Sequence, residues 1–159
     1  MKKIELDNIN YFRSKVVYGK AELEKAIKAK SRKHSENAIK KAEEEIVRLE
    51  QWHTDNETEL AKYEAEAEEA KKLIAVGGEI VLACAWLDDY GRRESGVNRS
   101  RYDSLEEAEE AYRKIKDDNG GYVEMWIEVD EVGRLKRIKA LQAEIEKLQA
   151  ELKGLSGDD

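Results

Sequence analysis

The side chains best suited to chemistry lie within residues 90–102, where Arg92, Arg93, Arg99 and Arg101 are set against a single acid, Glu94. Four cations and one anion leave this stretch at +3 in a chain whose net charge is -7, and Ser95, Asn98 and Ser100 add hydrogen-bonding groups. Guanidinium groups match carboxylate and phosphate oxygens in bidentate pairs, and Tyr90 and Tyr102 are suited to stack on a base or a guanidinium. The stretch is therefore the candidate anion site, with Arg92, Arg93, Asn98, Arg99, Arg101, Tyr90 and Tyr102 as ligand-binding residues for a nucleotide or other small anion. The competing role of the same arginines is to solvate an edge strand and pair with acidic neighbours, which is the commoner use of charge at a sheet edge.

Elsewhere the residue types offer little to a catalyst. His34 and His53 are the only histidines, and neither has a cysteine or second histidine at metal-ligand spacing. Cys84 sits inside an apolar run, where a thiol packs as an inert small hydrophobe. The acid pairs Asp88, Asp89 and Asp117, Asp118 fall in turn-like stretches, where carboxylates bond to backbone, and the glycine pairs 77–78 and 120–121 lack a phosphate-loop pattern. These features predict no enzyme, no metal and no cofactor.

These residues must be positioned by a chain of 159 residues, enough for one modest core. Charged residues make up 41% of it, against about 25% in ordinary domains, and there is no proline, a composition suited to long solvated helices. The single cysteine excludes an intrachain disulfide, and neither a bilayer-spanning run nor a signal core is visible, so the expected setting is cytoplasmic, without a membrane partner. The acidic balance argues against general nucleic-acid binding. Charge is nevertheless segregated: residues 25–41 hold seven cations and one acid, a sum of +6, while residues 43–69 hold two cations and eleven acids, a sum of -9. Blocks of opposite sign suit antiparallel pairing, and the acidic block either imitates a nucleic-acid backbone or is a solvated helix face.

Apolar spacing of three and four divides the chain. Residues 1–76 form a helical region, a hairpin or coiled coil. One helix, capped by Asp7 or Asn8, carries the seam Ile9, Phe12, Val16, Gly19, Leu23 and Ala26, and a short strand over residues 3–6 precedes it. A break at residues 31–35, with Ser35 as the new cap, leads to a second helix over residues 36–74, read as continuous in preference to two shorter helices broken near Thr54 and Asp55, both good caps. Its seam runs through Ile39, Ala42, Ile46, Leu49, Leu60, Tyr63, Ala67, Ala70 and Ile74, with His53 and Asn56 as polar members and Trp52 at the contact. Residues 77–131 read as a β-β-α-β unit: a strand over residues 80–87 apolar on both faces, a turn, a polar strand over residues 93–102, a helix opened by the Ser104/Glu107 capping box, and an alternating strand. Tyr122 and Trp126 fall on that last strand's polar face and are candidate interface anchors. Residues 132–155 form a coiled-coil-like helix with the seam Ile138, Leu141, Ile145, Leu148, Leu152 and Leu155, and 156–159 a flexible tail.

The expected fold is thus α+β, with long N-terminal helices, a small antiparallel-type sheet unit and a C-terminal helix. Two layers are needed around the doubly apolar strand, one from the short helix and the other from the long helices or a second subunit. The expected function is a non-enzymatic, homo-oligomeric protein, dimeric or higher, that binds a macromolecular partner, in the manner of small accessory or inhibitory proteins of bacteria and phages. The alternative is a sequestering binder of an anionic small molecule or nucleotide.

Overall fold

The computed structural model describes residues 1–156, so residues 157–159 of the expected tail lie outside the described residues, and Ser156 is the last residue of a helix. The two N-terminal helices, α1 (Leu6–Ser31) and α2 (Glu36–Ala75), fold back on each other. Their seams close within one chain: Phe12 stacks on Tyr63 with centroids 5.8 Å apart, and Tyr18 meets Trp52 edge-on at 6.1 Å. Residues 32–35 suffice for the reversal, because Arg32 and Lys33 donate back into the last turn of α1 and the Ser35 hydroxyl accepts from Ala38 N at 3.2 Å. This is the expected serine cap. α2 then runs 40 residues without a break, about 60 Å at 1.5 Å per residue.

Two expectations for this region are corrected. Neither Asp7 nor Asn8 caps α1: the helix starts at Leu6, Glu5 occupies the cap position without a side-chain bond, and Asp7 turns inward from the first turn. The two charge blocks lie against each other only in part. The reversal falls inside the positive block, so its residues on α1 run beside the start of the acidic stretch, and the rest of that stretch runs back beside the first half of α1. Lys30 to Glu43 at 3.2 Å links the blocks near the tip, and Arg13 to Glu64 at 3.2 Å and Lys2 to Glu69 at 2.7 Å serve the acidic stretch.

The sheet holds four antiparallel strands in the order β1 (Lys2–Ile4), β4 (Val123–Asp130), β2 (Glu79–Trp86), β3 (Asn98–Tyr102). Between β3 and β4 lies α3 (Leu105–Asn119), opened by Ser104 accepting from Glu107 N at 3.2 Å and followed by a single 3-10 turn over Gly120–Tyr122. Entry into β2 depends on glycine. Gly77 has φ +92°, and a Cβ on Gly78 would stand 2.8 Å from Leu73 O and 3.0 Å from Asp130 O, both backbone atoms that cannot yield. The second strand is shorter than expected because residues 88–97 form a loop, begun by Asp88 Oδ1 accepting from Tyr90 N and Arg92 N at 2.9 Å each.

All three of these helices pack on one face of the sheet. Ile4, Ile80, Leu82, Val123, Met125, Ile127 and Val129 point into that face and meet Ile9 of α1, Ala67 and Ala70 of α2, and Ala108 and Tyr112 of α3. The small alanines let the long helix lie close to the strands. Of the two sources expected for the second layer, the long helices are therefore ruled out: among the described residues no helix packs on the opposite face. On it Ala83 and Ala85 are too short to stand clear of the sheet, so the indole of Trp126 lies over them, joined by Val97 from the loop. The last element among the described residues is α4 (Gly133–Ser156), none of whose residues is buried.

Candidate functional site

Antiparallel register decides where the arginines go. Arg99 stands opposite Ala83 and Arg101 opposite Val81, which puts both on the helix-free face, whereas Asn98 and Tyr102 pair with Cys84 and Ile80 and belong to the core side. On the helix-free face Arg99 donates from Nε and Nη2 to the two oxygens of Glu128, at 3.1 Å each, and Trp126 Nε1 donates to Glu128 Oε1 at 2.9 Å. Glu128 is only 6% exposed. The Arg99 fork nevertheless holds its carboxyl below the usual glutamate range, with the Trp126 N–H acting in the same direction and burial opposing both. Arg93 lies 5.1 Å from the Trp126 ring centre and reaches Glu124 at 3.4 Å, Lys3 approaches the same ring at 5.5 Å, and Arg101 stands 3.8 Å from Glu79. These long cationic side chains cover the indole and leave it 9% exposed.

The seven residues singled out for anion binding are thus not gathered into one site. Arg93, Arg99 and Arg101 are each matched by a carboxylate of the sheet, Tyr102 packs against the core, Asn98 is exposed, and Tyr90 is 87% exposed at the loop tip. Arg92 is the one arginine of the four whose side chain has no carboxylate partner among the described residues. The two aromatic anchor candidates also separate. Trp126 is roofed by Arg93 and Lys3, whereas Tyr122 sits in the 3-10 turn with its ring exposed and its carbonyl accepting from Leu87 N at 2.8 Å.

The third candidate surface is the seam of α4. Exposure climbs along it from 38% at Ile138 and 40% at Leu141 to 72% at Leu155, and none of its residues is buried by another element among the described residues. A row of six large aliphatic side chains facing water is what a helix presents when its partner is another molecule. By contrast, the same three-four spacing in α1 and α2 is satisfied internally, and its polar members are unsatisfied there: His53 Nδ1 and Asn56 Nδ2 are buried without a hydrogen-bond partner. Trp52 lies at this contact as expected, its ring edge resting on the backbone of Gly19.

One half-buried polar cluster has no signal in the sequence. The Asp7 carboxylate accepts from the Tyr112 hydroxyl and from Met125 N at 3.2 Å, and Lys116 Nζ stands 3.1 Å from it while also donating to Val123 O at 2.7 Å. Burial, reinforced by the bond to Asp7, pushes the Tyr112 phenol well above its ordinary range. The cluster ties α1, α3 and β4 together across 105 residues of sequence separation. Its groups satisfy one another, and beside them lies an open groove of about 740 Å³ whose lining adds Tyr11, Lys15, Leu87 and Glu124. Among the described residues no three His, Cys, Asp or Glu side chains are grouped to hold a metal ion, and no helix is long and apolar enough to cross a membrane. Compared with known protein families, curated proteins and solved structures, the chain has no match.

Proposed function

We propose that this chain is a non-enzymatic interaction protein that assembles with copies of itself through α4 and presents its hairpin and sheet to a macromolecular partner. The bare apolar seam of α4 carries the reading, because burying it removes six aliphatic side chains from water and no element among the described residues does so. The internal pairing of the charged side chains on the sheet and around Asp7 supports a structural use of those groups over a catalytic one. A reducing, cytoplasmic setting fits the single, half-buried Cys84, whose thiol burial pushes up in pKa. The alternative, a sequestering binder of an anionic small molecule or nucleotide, draws on Arg92 beside exposed Tyr90, its other three arginines being engaged.

Sedimentation equilibrium tests the assembly. The wild type should sediment above its monomer mass of 18.3 kDa, and Leu148→Glu should return it to the monomer with the near-ultraviolet signal of the folded body unchanged. A wild type that stays monomeric at its highest soluble concentration overturns the reading.

A further inference from the structure

We infer that α4 pairs with α4 of a second copy as a parallel, two-stranded coiled coil, an inference that rests on the self-assembly proposed above and adds to it the partner, the number and the orientation. The three-four spacing assigns Ile138, Ile145 and Leu152 to one set of core positions (a) and Leu141, Leu148 and Leu155 to the other (d). A β-branched residue at a with leucine at d is the combination that packs best in parallel pairs, since the two positions meet the facing helix at different angles and only this assignment suits both. Two of the three a positions are isoleucine and all three d positions are leucine.

The flanking residues accommodate a parallel pair without selecting it. Positions before a hold Arg137, Glu144 and Glu151, and positions after d hold Gln142, Gln149 and Ser156. In a parallel pair each charged residue of the first set lies against the neutral residue five positions on in the partner: Arg137 against Gln142, Glu144 against Gln149, Glu151 against Ser156. Every such contact joins a charge to a hydrogen-bonding side chain, and no like charges meet. An antiparallel pair in the register that fills all six layers would set Arg137 against the partner's Glu151 at each end. It would also place Glu144 against the partner's Glu144 at the centre and stack isoleucine on leucine. Exposed rim pairs add little to stability, whereas core packing decides helix orientation here.

Access is open along the whole seam, because exposure rises steadily from Ile138 to Leu155 as the helix leaves the body of the protein. The seam spans 18 residues, between two and three heptads, so the pair is expected to be concentration-dependent rather than permanent. In a parallel pair both Gly133 ends meet at one end of the coil. The two bodies then project side by side and offer a partner two identical surfaces, which raises avidity without any new contact.

Disulfide trapping tests the orientation, with sedimentation equilibrium run alongside it. In a Cys84→Ser background, Leu155→Cys should oxidise to a covalent dimer, because parallel d positions bring the two Cα atoms within the roughly 7 Å a disulfide tolerates. Gly154→Cys, on the outward face, should not. An antiparallel pair separates the two copies of residue 155 by about 26 Å, at 1.5 Å per residue over the length of the seam, and would instead join Ile138→Cys to Leu155→Cys in a mixture. A dimer that fails to trap through Leu155→Cys, or traps only in the mixture, overturns the parallel orientation and leaves self-assembly standing. A sedimentation mass of three or four copies overturns the two-stranded assignment, and a wild-type monomer removes the inference together with the reading beneath it.

Discussion

Gly19 sits in the middle of α1, where alanine ordinarily stabilises a helix by about 1 kcal/mol over glycine. Here the sign should reverse. A Cβ at this position would stand 2.9 Å from Trp52 Cζ3, closer than packed carbons come, and tight against His53 Nδ1 at 3.0 Å and Trp52 Cε3 at 3.3 Å. Relieving such a clash in a packed contact costs about 1–3 kcal/mol. Set against the propensity gain, Gly19→Ala should lose about 1 kcal/mol. Urea denaturation should show this as a lower midpoint with an unchanged slope, and thermal melting as a fall of about 2–4 °C for a chain of this size. The decisive comparison is a double-mutant cycle with Trp52→Ala. Once the indole is gone the new methyl meets only the His53 ring, so Gly19→Ala should become neutral or stabilising, with a coupling of about 1–3 kcal/mol between the sites. If Gly19→Ala raises the midpoint in the wild-type background, or has the same effect in both backgrounds, the close helix approach at this level is refuted.

Three further outcomes follow from the buried polar groups. Tyr112→Phe leaves an oxygen of Asp7 without its donor and should cost about 1–3 kcal/mol by urea denaturation. Because the folded phenol pKa is raised, its contribution is complete below the ordinary value of 10.0 and fades as pH rises above it. Stability measured above pH 10 should therefore fall for the wild type and stay flatter for Tyr112→Phe. Glu128 titrates in the opposite sense: its folded pKa is depressed, so its contribution holds above 4.5 and is lost as pH falls through the folded value. Arg99→Ala should flatten that acid limb, and an unchanged limb would mean the fork is not formed in solution. Asn56→Leu replaces a buried amide lacking a partner for Nδ2 with a side chain suited to the seam, and should raise the urea midpoint by about 1–2 kcal/mol; a fall would show that the amide is satisfied in solution.

Much of this architecture is legible in the residues because it depends on local periodicity. The Ser35 and Ser104 caps, the unbroken α2, the β2 run and the α4 seam each rest on side chains within a few positions of one another, and the structure places them where the spacing does. The arginines of residues 90–102 show where this kind of reading ends. Their types announce anion binding, but their partners Glu124, Glu128 and Glu79 lie 22 to 31 positions away and reach them only through the β2, β3 and β4 register. Trp126 misleads for the same reason. Its alternation places it on a polar face, and only the neighbouring Ala83 and Ala85 give the indole a floor that lets cations close over it.

By itself the sequence determined that the chain is built of long amphipathic helices around a small sheet, and that three apolar seams exist. Periodicity fixes which face of a helix is apolar, since each residue turns by a set angle from the last. Which seam meets which partner is a question of distance in space, and tertiary structure decided it. The reversal at residues 32–35 brought two seams together in one chain, the sheet drew α1, α2 and α3 to a single face and Asp7 into a half-buried cluster, and the α4 seam was left facing water.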